Sequence, residues 1–315
     1  MRKIFLTLSL FCFIVVSGQE VLTVNNYPIV KNNEIIKVNK DSIRYVITCN
    51  DSIVATNDTI IVDSWDKDAL AYFARLTTQP SDSFKRKVDN FIKAQKAAGL
   101  WDKKVCIYLL QNPTSQGALL NMKGNYCNAV FVNSPTFVPN DGFTADVGYI
   151  NTNFTPSSDN RGIISKYSVS VTQYKKSTSL ASGSYDWGCY AGNNYFIGRA
   201  RYVVTNQALA DYLFNNTMLY GDQPNAVNSG IFTHTRNTTT MWGYRNGSVL
   251  LGTQSVGTTR DLTTIPFFIG CMNNNGTAGT LTTNKYGYLE IGAGLTIDEI
   301  YTNYLQIKEL VNFNP

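Results

Sequence analysis

Apolar and polar positions alternate with period two along most of the C-terminal two thirds of the chain. Helical spacing is confined to a few stretches. After Asn125 the pattern is strand, turn, strand. NAVFVNSPTFVPNDGF, GIISKYSVSVTQY, YDWGCYAGNNYFIGRARYVV, SGIFTHTR, TTMWGYRNGSVLLG, IPFFIGCM and NKYGYLEIGAGL alternate or run apolar between Gly and Asn turns. Arg245-Asn246-Gly247 sets Asn-Gly between two apolar runs, the strongest short hairpin signal here. Short strands with frequent turns predict a β-sandwich or jelly roll, not a parallel sheet.

Helical spacing dominates before that region. Asp66-Lys67-Asp68 opens the apolar run ALAYFARL, and Pro80 ends it. In SDSFKRKVDNFIKAQKAAGLW, Ser81 caps a helix whose Phe84, Val88, Phe91 and Ile92 share one face. Gly99 stands where a helix C-terminal glycine belongs, with Lys93 and Lys96 in the last turns. The spacing predicts about 18 residues, or about 27 Å. VCIYLLQ then reads as a buried strand. At the other end, Thr296 and Glu299 form a capping box ahead of IYTNYLQIKELV, which predicts a closing helix.

Residues 20–62 are short β-prone pieces split by Asn and Asp, a pattern of small hairpins. Ahead of them, Arg2 and Lys3 precede the apolar run Ile4 to Val16, and Ser17-Gly18 supply small residues for cleavage. Four segments follow from these shifts: a signal peptide at 1–18, a β-hairpin or attachment segment at 19–63, a helical lead-in at 64–122, and a sandwich with a C-terminal helix at 123–315. The leader implies a secreted or cell-surface protein.

Composition narrows the function classes. With 315 residues, 16% charged and 43% hydrophobic, the chain is globular in character. Its formal charge of +5 falls to about +3 without Arg2 and Lys3, too little to argue for nucleic acid. Six cysteines are widely spaced; Cys12 leaves with the leader, and an odd five remain. A Cys106–Cys127 bridge is one arrangement, buried unpaired thiols another. Sequence does not pair them.

Catalytic signals are sparse. Between Arg161 and Lys285 the acids are Asp186, Asp211, Asp222 and Asp261, with no row of carboxylates along one strand. Glu290 reads as a lone strand acid. The single histidine, His234, lies in an alternating strand, where packing or surface exposure is the expected role, and it weakens any catalytic triad. These observations predict a protein that is not an enzyme and needs no cofactor. Asp141, Asp146 and Asp159, in loops with Asn140, Asn151, Asn153 and Asn160, have the oxygen chemistry for Ca2+, although ordinary Asx turns use the same residues. Aromatic rings beside amides suit sugar rings. Trp187, Tyr190, Tyr195 and Asn194 form one such group, and Trp242, Tyr244 and Asn246 another. The same rings would also suit a sandwich core.

Several stretches together resemble the C-terminal end of concanavalin A-like (laminin-G-type) jelly rolls. They are Phe267 to Gly270, Asn273-Asn274-Asn275-Gly276, Tyr288 to Gly292, and Leu295-Thr296 before Glu299. Asp68 to Leu110, with its Gly99-Leu100-Trp101 step, resembles a helical lead-in of phage and prophage virion proteins. Asn133 to Phe137 and Gly142-Phe143 look like the entry to that jelly roll. The resemblance covers about residues 65–312. It implies a mainly β fold, a concanavalin A-like jelly-roll sandwich preceded by a small helical segment and a short N-terminal β segment. The architecture hosts lectins, glycosidases and adhesins, so it does not fix a function. The expected role is adhesion through a glycan or cell-surface receptor. The alternatives are a virion structural protein, partnered by virion proteins or by copies of itself, and a glycoside hydrolase.

Overall fold

The computed structural model describes residues 65–177, 184–200, 210–215, 219–220, 229–255, 257 and 259–313, with five strand pieces among residues 1–64. Of those pieces, β1 (Ile14–Val15) pairs β2 (Val21–Leu22), and β3 (Glu34–Ile35), β4 (Val46–Thr48) and β5 (Ile53–Val54) form a three-stranded antiparallel ribbon. The rest of the expected leader and attachment segment lies outside the described residues. The chain divides into two compact units, Met1–Ser64 and Trp65–Pro315.

The second unit begins with α1 (Lys67–Phe73), α2 (Asp82–Ala97), β6 (Lys104–Tyr108), α3 (Ser115–Leu119), β7 (Val130–Val132), β8 (Thr136–Val138), β9 (Gly142–Thr144), β10 (Tyr149–Asn151) and α4 (Pro156–Asp159). It continues through β11 (Ser168–Lys175), β12 (Trp187–Ala191), β13 (Asn194–Arg199), β14 (Ala210–Leu213), β15 (Leu219–Tyr220), β16 (Gly230–Asn237) and β17 (Thr240–Arg245). It closes with β18 (Val249–Ser255), β19 (Phe268–Ile269), β20 (Asn273–Asn274), β21 (Thr277–Ala278), β22 (Lys285–Gly292) and α5 (Ile297–Leu310).

Two sheets face each other. The first has the order β15-β14-β13-β12-β19-β10-β7, with the β20–β21 hairpin joined to β12. The second runs β18-β17-β16-β11-β22-β9-β8, with β6 beside β22. Apart from β12 with β20, the pairings among the described strands are antiparallel. The architecture is a two-sheet β-sandwich, mainly β, with a small helical segment.

Alternation along the strands builds the core between the sheets. Cys106 and Tyr108 on β6, Val169 and Val171 on β11, and Leu289 and Ile291 on β22 point inward. They meet Ile150, Trp187, Cys189, Phe196 and Ile269 from the first sheet. The opposite parity on the second sheet, Ile107, Leu109 and Tyr288, is covered by Phe91 and Ile92 of α2 and by Ile307 and Leu310 of α5. Each such side chain contributes roughly 1.5–3 kcal/mol by leaving water. Both helices start as their sequences predict. Ser81 Oγ accepts from Phe84 N–H, and the Thr296–Glu299 capping box is complete. The α2 helix has 16 residues, two fewer than its spacing suggests.

Under the helices lies a buried polar network. Lys104 Nζ is 2.6 Å from Glu290 Oε1. Asn303 of α5 donates to the same oxygen at 2.6 Å, and Tyr288 OH donates to Oε2 at 2.6 Å. Gln95 of α2 donates to Asn303 Oδ1 at 2.8 Å. Glu290 is therefore not a lone acid; it ties the second sheet to the helical layer.

Candidate functional site

Side-chain parity places Tyr190 and Tyr195 on the outer face of the first sheet. Trp187 and Cys189 of β12 and Phe196 of β13 enter the core, so their alternating neighbours point away. Tyr190 and Tyr195 are cross-strand partners, and their rings stack 4.6 Å apart at 16°. Both are partly exposed. Burial raises the Tyr195 phenol above its usual range, and a hydrogen bond with Tyr190 adds to the effect. The stack and the hydrogen bond fix two aromatic faces in one orientation.

Two turns frame this aromatic shelf. The first joins β12 to β13 through exposed Gly192 and Asn193. The second is the Asn-rich tip of β20–β21, where Asn275 and Gly276 take φ of 47° and 90°. Two successive positive φ values explain the Asn-Gly pair at this tight reversal. Asn273 anchors the hairpin from below, donating to the Pro266 carbonyl at 2.8 Å and accepting from Gly276 N–H at 2.9 Å. The turns dock together: Asn275 N–H donates to the Tyr190 carbonyl at 2.8 Å, and Gly192 N–H donates to Asn275 Oδ1 at 3.1 Å. Asn274 and Asn275 remain exposed beside the tyrosines. Asn194 accepts from Asp261 N–H at 3.2 Å, bringing the 259–261 segment to the same edge. The result is two aromatic faces ringed by amides, a chemistry that matches the apolar face and hydroxyls of a sugar.

The other expected contacts sit elsewhere. Trp187 is fully buried; it stacks on Phe267 at 5.5 Å and meets His234 edge-on at 5.1 Å. Its strand partner Gly198 leaves the space its ring needs, since a Cβ there would lie 2.3 Å from the indole. Trp187 is thus a core residue and not a ligand contact. Trp242 and Tyr244 turn to the helical side of the second sheet, packing with Leu100, Leu295 and Ile300. Asn246 forms the β17–β18 turn, where its Oδ1 accepts from Ile231 N–H at 3.1 Å. Of the seven residues singled out, Tyr190, Asn194 and Tyr195 come together; Trp187, Trp242, Tyr244 and Asn246 have packing or turn roles. Asn274 and Asn275, beside the tyrosines, were not among the expected contacts. The Asn-rich turn was visible in the sequence, but its docking against β12–β13 depends on long-range topology.

The loops with the oxygen chemistry for Ca2+ engage other partners. Lys176 and Lys285 both donate to Asp141, Thr136 donates to Asp146, and Asp159 accepts from Thr155 N–H at 2.8 Å. Among the described residues, no three His, Cys, Asp or Glu side chains gather as a metal site. Cys106, Cys127, Cys189 and Cys271 are free thiols, with Cys106 and Cys127 in hydrogen-bonding contact.

No family model matches the chain, and no curated protein does. Among solved structures, the chain is similar to a Trypanosoma rangeli sialidase in complex with 2,3-difluorosialic acid, at 13% identity and a TM-score of 0.47. That match covers 72% of this chain and 39% of the sialidase, so the chain spans about two fifths of that enzyme's length. It is also similar to domain 4 of AbnA, a GH43 extracellular arabinanase from Geobacillus stearothermophilus, in complex with arabinotriose. There the identity is 12% and the TM-score 0.42, covering 64% of this chain and 98% of that one. These likenesses carry no argument about substrate. One expectation is corrected: the similar solved structures are those of sialidases and of a domain of an arabinanase, and the protein is not placed outside enzymes.

Proposed function

We propose that the protein binds glycans, and that the Tyr190–Tyr195 shelf is the contact surface. The observation that carries this reading is the rigid stack of two partly exposed rings at 4.6 Å, bordered by Asn194, Asn274 and Asn275. Flat aromatic surface covers the apolar face of a pyranose, and amides supply donors and acceptors for its hydroxyls. Fixing the rings in advance limits the ordering cost of binding. The proposal places this surface outside the cell, in keeping with the leader expected at residues 1–18.

A glycan array probed with the full chain and with Tyr195→Ala tests the reading. The wild type should bind a subset of oligosaccharides and the variant should lose them, with its far-ultraviolet dichroism unchanged. A silent wild-type array, or an unchanged variant profile, refutes the proposal.

A further inference from the structure

The strongest unexplained feature beside the shelf is Arg260. Its backbone is held on both sides: Arg260 N–H donates to the Phe214 carbonyl at 2.8 Å, and Asp261 N–H donates to Asn194 Oδ1 at 3.2 Å. Its side chain is less committed. The buried Nε has no hydrogen-bond partner, and no ion pair engages the guanidinium among the described residues. Phe214 N–H in turn donates to the Tyr195 carbonyl at 2.8 Å, so this segment runs beside Tyr195, and the Arg260 charge acts on its phenol.

Among the described residues, no neighbouring acid pairs with this cation. Asp261 is next in the chain, but its carboxylate pairs with Lys166 at 3.1 Å. The other cation on this face, Arg199, lies over the Tyr185 ring at 4.1 Å and donates to the Ser184 carbonyl at 3.3 Å. Tyr185 is in turn close enough to act on Tyr195. Arg199 is buried, so Arg260, half-buried, is the cation that borders the shelf.

We infer that the shelf selects acidic sugars, with Arg260 pairing the carboxylate of a uronic or similar acid while the ring rests on Tyr190 and Tyr195. This inference deepens the glycan-binding proposal and rests on it. A guanidinium offers a planar fork of donors that matches a carboxylate in two parallel hydrogen bonds. A partly desolvated, unpaired arginine gains more from such a partner than a solvated one does. A neutral sugar would fill the aromatic surface and leave the cation without its partner.

Calorimetry with the full chain separates the two claims. Tetragalacturonic acid and the neutral tetragalactose present similar rings with and without the carboxylate. The wild type should bind the acid about tenfold more tightly at low salt, the scale of one charge-assisted hydrogen bond. Raising the salt should narrow that ratio. Arg260→Gln should abolish the preference and leave affinity for the neutral sugar unchanged, whereas Tyr195→Ala should weaken both. Equal wild-type affinities, or a preference that survives Arg260→Gln, would overturn the inference while leaving the shelf intact. Loss of neither ligand in Tyr195→Ala, or no binding by the wild type, would overturn the shelf and the inference with it. A sulfated galactan that competes as well as tetragalacturonic acid would overturn the carboxylate assignment.

Discussion

Substituting Glu290 isolates the contact that fastens the helices to the sandwich. In Glu290→Gln the side chain keeps its shape but loses its charge. Lys104, whose side chain is 0% exposed, is left with no counter-ion at 2.6 Å. Tyr288 and Asn303 also lose the carboxylate that now accepts their hydrogen bonds. Breaking a buried pair on one side costs about 3–5 kcal/mol, because a charge is stranded away from water. For a unit of this size each kcal/mol shifts Tm by about 2–4 °C, so a loss of roughly 10 °C is expected. Replacing both partners, Lys104→Met with Glu290→Leu, removes the stranded charge and should recover most of the loss. Urea unfolding followed by tryptophan fluorescence reads both variants, since Trp101 and Trp187 are buried in the second unit. A single substitution costing under about 1 kcal/mol, the range of a surface pair, would show that water reaches the pair and would refute the reasoning.

Other consequences can be measured in the same preparations. Trp187→Ala should cost about 3–5 kcal/mol in unfolding experiments by leaving a core cavity, yet the folded protein should keep its glycan affinity, because the indole does not reach the shelf. Timed alkylation with peptide mapping should label Cys127 before Cys106, Cys189 and Cys271: its hydrogen bond with Cys106 lowers the Cys127 thiol, while burial raises Cys106 and pushes Cys189 and Cys271 up to about 12. Equal labelling rates would contradict that ordering. Stability should also fall in acid. Burial alone would raise Asp186, but Lys175, Tyr286, the Ala200 N–H and Asn284 together hold it below 3.8; hydrogen bonds from Lys176 and Lys285 do the same for Asp141. Depressed carboxylates stabilise the fold above their unfolded value, and that contribution disappears as pH falls through the folded one. The urea midpoint should thus decline below about pH 4, less steeply in Asp186→Asn; a flat profile would count against these pairings.

Much of the sandwich was legible because burial on one face imposes a period of two. SVSVTQY became β11, and TTMWGYRNGSVLLG became the β17–β18 hairpin around Asn246 and Gly247. The capped helices were equally legible, since Ser81 and the Thr296–Glu299 pair act within one turn. Strands of two or three residues were not, because β10, β15 and β20 are too short to show a period. The candidate site was half legible. Tyr190 and Tyr195 follow from local alternation, but Trp187, three positions before Tyr190 on β12, carries the same composition signal and faces inward. Only parity relative to the core separates them, and that parity is set by which sheet packs on which. Arg260 gave no local signal at all; its N–H donates to the Phe214 carbonyl and its neighbour Asp261 donates to Asn194, both far away in sequence, and these bonds bring it beside Tyr195.

A crystal structure of the protein with a bound oligosaccharide tests the central claim most directly. The account predicts a sugar ring in van der Waals contact with Tyr190 or Tyr195 and hydroxyls hydrogen-bonded to Asn194, Asn274 or Asn275. Ligand density at any other surface, with the Tyr190–Tyr195 stack left bare, would contradict it.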